Sequence, residues 1–255
     1  MYAIFKREFL SYFRSPVGYV AISIFSFLSG FIFFSQFATG NVNIGSEVIS
    51  LRSFFVVIVP IITMGLFAED KKRGTDILYY TTPVSLFSVV TGKVLAAFAL
   101  YAVMFINVIV HTIVTIACGG VFGVGSMGTV IVFFFMAFMF ISIGVFASCI
   151  TDSQIVSAIV AFIMILVTQM ITVIAGYIGN VASSLASMLG SDSIKASSFG
   201  NGVKNAISWL DPFVKTQDFR IGVFSVSALI FLLSVGLLFL YMTYRVLEKK
   251  RWSQA

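Results

Sequence analysis

Apolar stretches of about 20 residues are long enough to cross the hydrocarbon core of a bilayer. They recur along this chain and leave it few ways to fold. Residues 17–37, 94–117, 129–150, 155–175 and 221–244 are such stretches, and 54–67 is a shorter one. Helices are the element that satisfies every backbone group within one segment in lipid. Only 10% of the residues are charged and 59% are hydrophobic, where soluble domains carry about a quarter charged residues. The expected fold is all-α: a single polytopic membrane domain over 1–255 with six transmembrane helices and no soluble catalytic domain.

The start imitates a cleaved signal, with Lys6-Arg7 ahead of an apolar run. That run outlasts the 7–15 residues of a signal core and meets no small-x-small site, so it reads as a retained first span. Before it, Tyr2, Phe5, Phe9, Tyr12 and Phe13 share one helical face while Arg7, Ser11 and Arg14 share the other. Such a helix lies in the membrane interface, rings toward acyl chains and bases toward phosphates. Ser15-Pro16 then breaks it and turns the chain inward.

Residues 38–50 read as a short polar loop whose only charge is Glu47. Pro60 in the second span predicts a kink there. A Gly-rich turn at 118–128 and the link Thr151-Asp152-Ser153-Gln154 bound the fourth span. Residues 176–220 are rich in Ser, Gly and Ala, with helical patches at Ile178, Val181, Leu185 and Met188 and at Val203, Ile207 and Leu210. Two readings stand there: a pair of short helices near the outer interface, or a flexible loop. No internal repeat supports an inverted-repeat transporter.

Basic residues near span ends set orientation. Lys6, Arg7, Arg14, Lys71, Lys72, Arg73, Lys93, Arg245, Lys249, Lys250 and Arg251 fall on one side; Arg52, Lys195, Lys204, Lys215 and Arg220 fall on the other. Both termini are therefore expected in the cytoplasm. The net charge of +6 follows this pattern rather than forming a nucleic-acid groove.

Catalytic and metal chemistry lacks its parts. There is one histidine, His111, which shares a polar stripe with Asn107 and Thr115 at i, i+4, i+8 spacing. Asn107 and His111, like Thr168, Gln169 and Thr172 in the fifth span, are candidates either for a translocation path or for hydrogen bonding between helices. Cys118 and Cys149 are expected at opposite faces, too far apart for a disulfide. No Ser–His pair has an orienting third residue, no phosphate loop is present, and the carboxylates are expected at loops and span ends. No enzyme activity and no cofactor or metal is expected in this chain.

One segment stands out. Glu69, Asp70, Lys71, Lys72, Arg73 and Asp76 put six of the chain's 26 charges between two apolar spans. Gly74 reads as the stop of one short helix and Thr75 as the cap of the next, with Pro83 following. Positive-inside anchoring explains the bases alone. The added acids and the apolar Ile77-Leu78 suit a docking surface for a soluble partner.

At these residues the chain resembles the permease subunits of ABC-2-type transporters, and is most similar to their gliding-motility and nitrous-oxide-reductase-maturation branch. Three segments carry the resemblance: Phe5-Lys6-Arg7-Glu8-Phe9 through Ser15-Pro16-Val17-Gly18-Tyr19; Phe67 through Thr82-Pro83-Val84-Ser85 with Gly92-Lys93; and Asp211-Pro212-Phe213 through Asp218-Phe219-Arg220-Ile221-Gly222-Val223, ending at Arg245-Val246-Leu247-Glu248 and Arg251-Trp252. Asp76 stands where the family more often has Glu.

The resemblance implies a six-span, type V exporter-like permease of the bacterial cytoplasmic membrane. It would be paired with a second copy, with two ABC ATPase subunits beneath that bind the ATP and Mg. It implies a coupling helix at 69–85, carried here by Glu69, Asp70, Lys71, Lys72, Arg73, Gly74, Thr75 and Asp76. It also implies an interfacial connecting helix at 1–15, carried by Phe5, Lys6, Arg7, Phe9 and Arg14, and an extracytoplasmic helical segment at 176–220. Membrane lipid and an extracytoplasmic accessory protein are further candidate partners; nucleic acid is not. Two functions follow from it: an exporter, or a non-transporting subunit that transmits ATP-driven motion to an extracytoplasmic or membrane partner.

Overall fold

The computed structural model describes residues 1–40, 42–81, 84–189 and 192–254, and every regular element among them is helical. α1 (Tyr2–Arg14) ends at Ser15, which is extended because a following proline disfavours the helical region. Pro16 then opens α2 (Pro16–Ala38), a position where its missing N–H costs nothing. Gly18 permits the tight turn between them, since a Cβ there would stand 2.4 Å from the carbonyl oxygen of Tyr12. Not all the aromatics of α1 face lipid. Tyr12 is buried and donates its hydroxyl to the carbonyl of Ile62 at 2.7 Å, while Phe5 stacks on Phe9 and Phe13 meets Phe9 edge-on.

The polar loop expected at 38–50 is largely a helix, α3 (Ile44–Arg52). The Asn43 side chain caps it by accepting from the N–H of Ser46, and Ile44, Val48 and Leu51 are buried. Their i, i+4, i+7 spacing is a helical stripe hidden among serines. α3 meets the following helix at 62°. That helix, α4 (Phe55–Thr63), carries Pro60 in its interior. The bend falls at Ser53-Phe54, ahead of the proline where a kink was expected.

α5 (Ala68–Lys72), α6 (Ile77–Thr81), α7 (Leu86–Ala117) and α8 (Val124–Ile150) follow. α7 starts well before Lys93, so the third span contains the lysine that sequence reading put in front of it. α9 (Gln154–Gln169) and α10 (Ile171–Met188) are separated only at Met170, where a single fifth span was expected. α9 measures about 24 Å at 1.5 Å per residue, short of a hydrocarbon core of about 30 Å. α11 (Ser193–Ser208), α12 (Pro212–Lys215), a 3-10 turn (Gln217–Ile221) and α13 (Val226–Gln254) complete the chain. The last helix thus begins later than the expected residue 221 and runs beyond 244. Among the described residues, five helices, α2, α7, α8, α10 and α13, are long and apolar enough to cross a membrane, or six if the bent pair 44–52 and 55–72 counts as one span.

The core lies between α4, α7 and α8. Phe55, Tyr101, Phe105, Phe133, Phe134 and Phe140 form one aromatic cluster, with Phe105–Phe134 centroids 4.6 Å apart and Phe55–Phe133 4.8 Å apart. Gly144 lets α8 approach α4: a Cβ there would lie 2.3 Å from the Thr63 hydroxyl.

α10 and α11 pack against each other through glycines. A Cβ at Gly200 would stand 2.4 Å from the carbonyl oxygen of Gly179 and 1.8 Å from the Ser183 hydroxyl. Gly200→Val is therefore expected to destabilise the pair by about 1–3 kcal/mol through overpacking. Hydrogen exchange should quicken across residues 193–208 and stay unchanged in α7 and α8. Equal exchange in both chains would mean that the glycine contact does not hold the pair.

Candidate functional site

The charged knot is built from α5, a left-handed Gly74 at φ 69°, and α6. Thr75 turns back on the first helix, its N–H and hydroxyl both donating to the carbonyl of Asp70, at 2.9 and 3.2 Å. Thr82 and Pro83, within the expected coupling segment, lie outside the described residues.

Two clamps hold this segment. The first centres on Lys93, whose side chain is 1% exposed. Its ammonium reaches Asp70 Oδ2 at 2.6 Å and Glu8 Oε1 at 3.0 Å, and also donates to the carbonyl of Leu66. It stands 5.1 Å from the Phe67 ring centroid and 5.7 Å from that of Tyr79, both within range of cation–π attraction. Arg7 closes the set, 2.5 Å from Glu8 and 3.9 Å from Asp70. Two cations therefore meet two carboxylates, which is what burial of charge demands.

Tyr79 donates its hydroxyl to Asp70 Oδ2. Burial first, and then the Asp70 carboxylate, push its pKa up to about 12, so it remains a donor throughout the physiological range. This clamp joins four elements: α1 through Arg7 and Glu8, α5 through Asp70, α6 through Tyr79 and α7 through Lys93. Gly92 brings α1 close, since a Cβ there would lie 3.1 Å from the Ile4 side chain.

The second clamp fixes the segment to the turn between α8 and α9. Ser148 accepts from the backbone N–H groups of Phe67 and Ala68 at 3.0 and 3.1 Å, supplying orphan donors at the start of α5, and donates to the carbonyl of Met64. Lys71 donates to the carbonyls of Cys149 and Thr151 and lies 3.4 Å from Asp152. The three consecutive bases thus part company. Lys71 is turned inward, with its side chain 6% exposed, while Lys72 and Arg73 are exposed at the tip beside Gly74, Ile77 and Leu78. Arg73 pairs with Glu69 one turn back at 2.5 Å, and Thr75 and Asp76 are half-buried.

On α1, Phe5 and Phe9 are half-buried, whereas Lys6 and Arg14 are exposed. The sequence placed Glu8 and Tyr79 only as members of the connecting and coupling segments, gave Ser148 no role, and counted Lys93 among the basic residues at the span ends. A lysine seven residues into a long apolar helix was the available signal.

The candidate polar residues of the spans are engaged within the chain. Asn107 donates to Ser26 Oγ at 2.7 Å and so ties α7 to α2. Thr168 bonds back to Ile165 in its own helix, Gln169 reaches the Ser53 carbonyl at 3.4 Å, and Thr172 donates to Asp211 at 2.5 Å. His111 faces Glu47, their Nδ1 and Oε1 atoms 2.7 Å apart. Contrary to expectation, carboxylates are buried inside the fold: Glu47, Asp211 and Glu8 are each less than 9% exposed.

A family model described as ABC-2 family transporter protein matches residues 2–252 of the chain. No curated protein matches it.

Proposed function

The chain belongs to the ABC-2 family of transporter proteins, and from that membership we propose that it is the membrane-spanning permease subunit of an ATP-driven exporter. In this reading it works as a homodimer above two ABC ATPase subunits, which hold the ATP and Mg. Both termini and the 69–85 segment lie in the cytoplasm, and residues 176–220 face the other side of a bacterial inner membrane, where an accessory protein would meet them. The basic-residue asymmetry supports that orientation.

The observation that carries the reading is the double clamp. α5 and α6 are joined rigidly to α1, α7 and the α8–α9 turn, so a push on the exposed tip at Lys72, Arg73 and Gly74 is delivered to several spans at once. A tip built this way is a lever, and its exposed bases suit an acidic groove on a soluble partner.

The test is a pull-down of the tagged chain from native membranes in mild detergent, with ATP hydrolysis assayed in the eluate. Wild-type chain should carry a P-loop ATPase. The Lys72→Glu, Arg73→Glu double variant should lose it at least tenfold while remaining folded, because exposed substitutions change stability by only about 0.5 kcal/mol. Lys71→Glu should instead weaken the fold, since it opposes two carbonyls and Asp152. Retention of the ATPase by the double variant refutes this docking face. An eluate without ATPase from wild type refutes the motor partner.

One observation favours the second function, force transmission without transport. Asn107, His111, Thr168 and Thr172 all bond within the chain, so none is committed to an open polar path. Reconstituted complexes that hydrolyse ATP yet move no lipid, peptide or hydrophobic drug would select that reading.

A further inference from the structure

At the end of the molecule opposite the termini, a cavity of about 350 Å³ opens between the start of α3, the start of α8 and the 3-10 turn. Ser46, Ile49, Ser126 and Thr129 line it together with Arg220. Through Ile49, Thr129 and Arg220 it adjoins an inner chamber of about 20 Å³ that adds Arg52. That inner volume suits a single water.

The wall that carries Arg220 is set by close backbone packing. A Cβ at Gly125 would stand 2.5 Å from the Arg220 carbonyl oxygen, and one at Gly128 would stand 3.0 Å from that of Phe219. The start of α8 therefore presses directly on the 3-10 turn and fixes where the arginine emerges.

The charges here are not balanced. Arg52 is desolvated by burial and repelled by Arg220, with only part of that offset by Asp211. Asp211 is itself engaged, accepting from Thr172 Oγ1 at 2.5 Å and from the Phe213 N–H at 2.7 Å. Arg52 stacks on the Phe213 ring at 4.5 Å, and among the described residues neither guanidinium has a hydrogen-bond acceptor or an ion-pair partner. Asp218, on the same turn as Arg220, pairs with neither. Two like charges that line one chamber, Arg52 with only the already engaged Asp211 as a nearby counter-charge and the exposed Arg220 with no ion pair among the described residues, form an incomplete site.

We propose that this cavity binds a phosphate group, held directly by Arg220 and through the inner chamber by Arg52. A carboxylate has two oxygens, which one guanidinium fork can satisfy, whereas a phosphate has enough to meet two. The chamber between Arg52 and the outer cavity makes the deeper contact water-bridged, so Arg220 contributes more than Arg52. The phosphate comes either from a phospholipid headgroup of the adjacent leaflet or from a soluble phosphate. The site is independent of any ATPase and is tested on the chain alone.

The full chain is purified in a maltoside detergent, and its thermal unfolding midpoint is followed against inorganic phosphate, then against phosphatidylglycerol, with diacylglycerol as the headgroup-free control. Binding should raise the midpoint. Arg220→Gln should weaken the apparent affinity by about tenfold or more, the loss of a charge-assisted contact. Arg52→Gln should weaken it severalfold, and Arg220→Lys should restore part of what Arg220→Gln removes. A response to inorganic phosphate assigns a soluble ligand, and a response to phosphatidylglycerol alone assigns a headgroup. No response to either, or a response undiminished in Arg220→Gln, overturns the proposal.

Discussion

Replacing Lys93 by methionine is expected to lower the unfolding free energy by about 3–5 kcal/mol, the range for breaking a buried ion pair from one side. The loss is of balance rather than of attraction. Arg7 still covers Glu8 at 2.5 Å, but it stands 3.9 Å from Asp70. Asp70 is then left with the Tyr79 and Thr75 hydroxyls as its close donors and Arg7 as its one, more distant, cation, and the Leu66 carbonyl loses its partner. The residual cover from Arg7 puts the result toward the lower end of the range.

Titration with sodium dodecyl sulfate in mild detergent measures the effect. The triple variant Glu8→Gln, Asp70→Asn, Lys93→Met should recover most of the stability, because the buried groups are then neutral and of similar shape and the remaining cation, Arg7, is half exposed to solvent. A destabilised triple variant would show that the ion pairs stabilise the fold by attraction and not through balance alone. Lys93→Arg is not a conservative control, since a wider guanidinium must fit between the Phe67 and Tyr79 rings. The triple variant also separates two properties. It should fold, yet its α1, α5 and α7 are no longer tied by charge, so coupling to a bound ATPase should fall while the spans stay inserted.

The spans α2, α7 and α8 were legible because length and apolarity alone determine them, and a proline marks the start of the first. Elements that depend on a distant partner were not. Lys93 was counted among the basic residues at the span ends because its partner Glu8 lies 85 residues away in sequence, and without that partner a lysine belongs outside lipid. α3 was hidden by composition. Its Asn43, Ser46 and Ser50 read as loop, although Asn43 is a helix cap and Ile44, Val48 and Leu51 mark one helical face.

The charged knot was visible as a whole, but its internal division was not. Consecutive helical residues point about 100° apart, and only the neighbouring α8–α9 turn decides that Lys71 faces inward while Lys72 and Arg73 face out. The same holds for the polar residues of the spans. Their presence is plain in the sequence, whereas their engagement with Ser26, Glu47 and Asp211 exists only once the helices are packed.

Glu47→Leu is expected to loosen α3 from the bundle by about 3 kcal/mol, on the order of 1–3 kcal/mol for each buried group left unpaired. Glu47 is fully buried, and its Oε1 accepts from Ser29 Oγ at 2.7 Å and faces His111 Nδ1 at 2.7 Å. One carboxylate oxygen thus ties α3 to both α2 and α7, while Oε2 is buried without a hydrogen-bond partner. The histidine is held in place by stacking on Phe33, ring centroids 4.2 Å apart, so it cannot follow a shortened partner.

Leucine fills the volume but removes the acceptor that the Ser29 hydroxyl and His111 share, leaving them only a long contact with each other at 3.4 Å. Glu47→Gln keeps that acceptor and should cost less, with its amide nitrogen taking the unpartnered position. A cysteine at Val48, which is 1% exposed, reports on the seat of α3 in a chain whose Cys118 and Cys149 are replaced by Ser and Ala. Maleimide labelling of that cysteine should accelerate by about a hundredfold in Glu47→Leu, since each 1.4 kcal/mol is tenfold in an equilibrium. The acceleration should be smaller in Glu47→Gln. If labelling is equally slow in all three chains, Ile44, Val48 and Leu51 hold α3 by packing alone, and the buried carboxylate is tolerated rather than required.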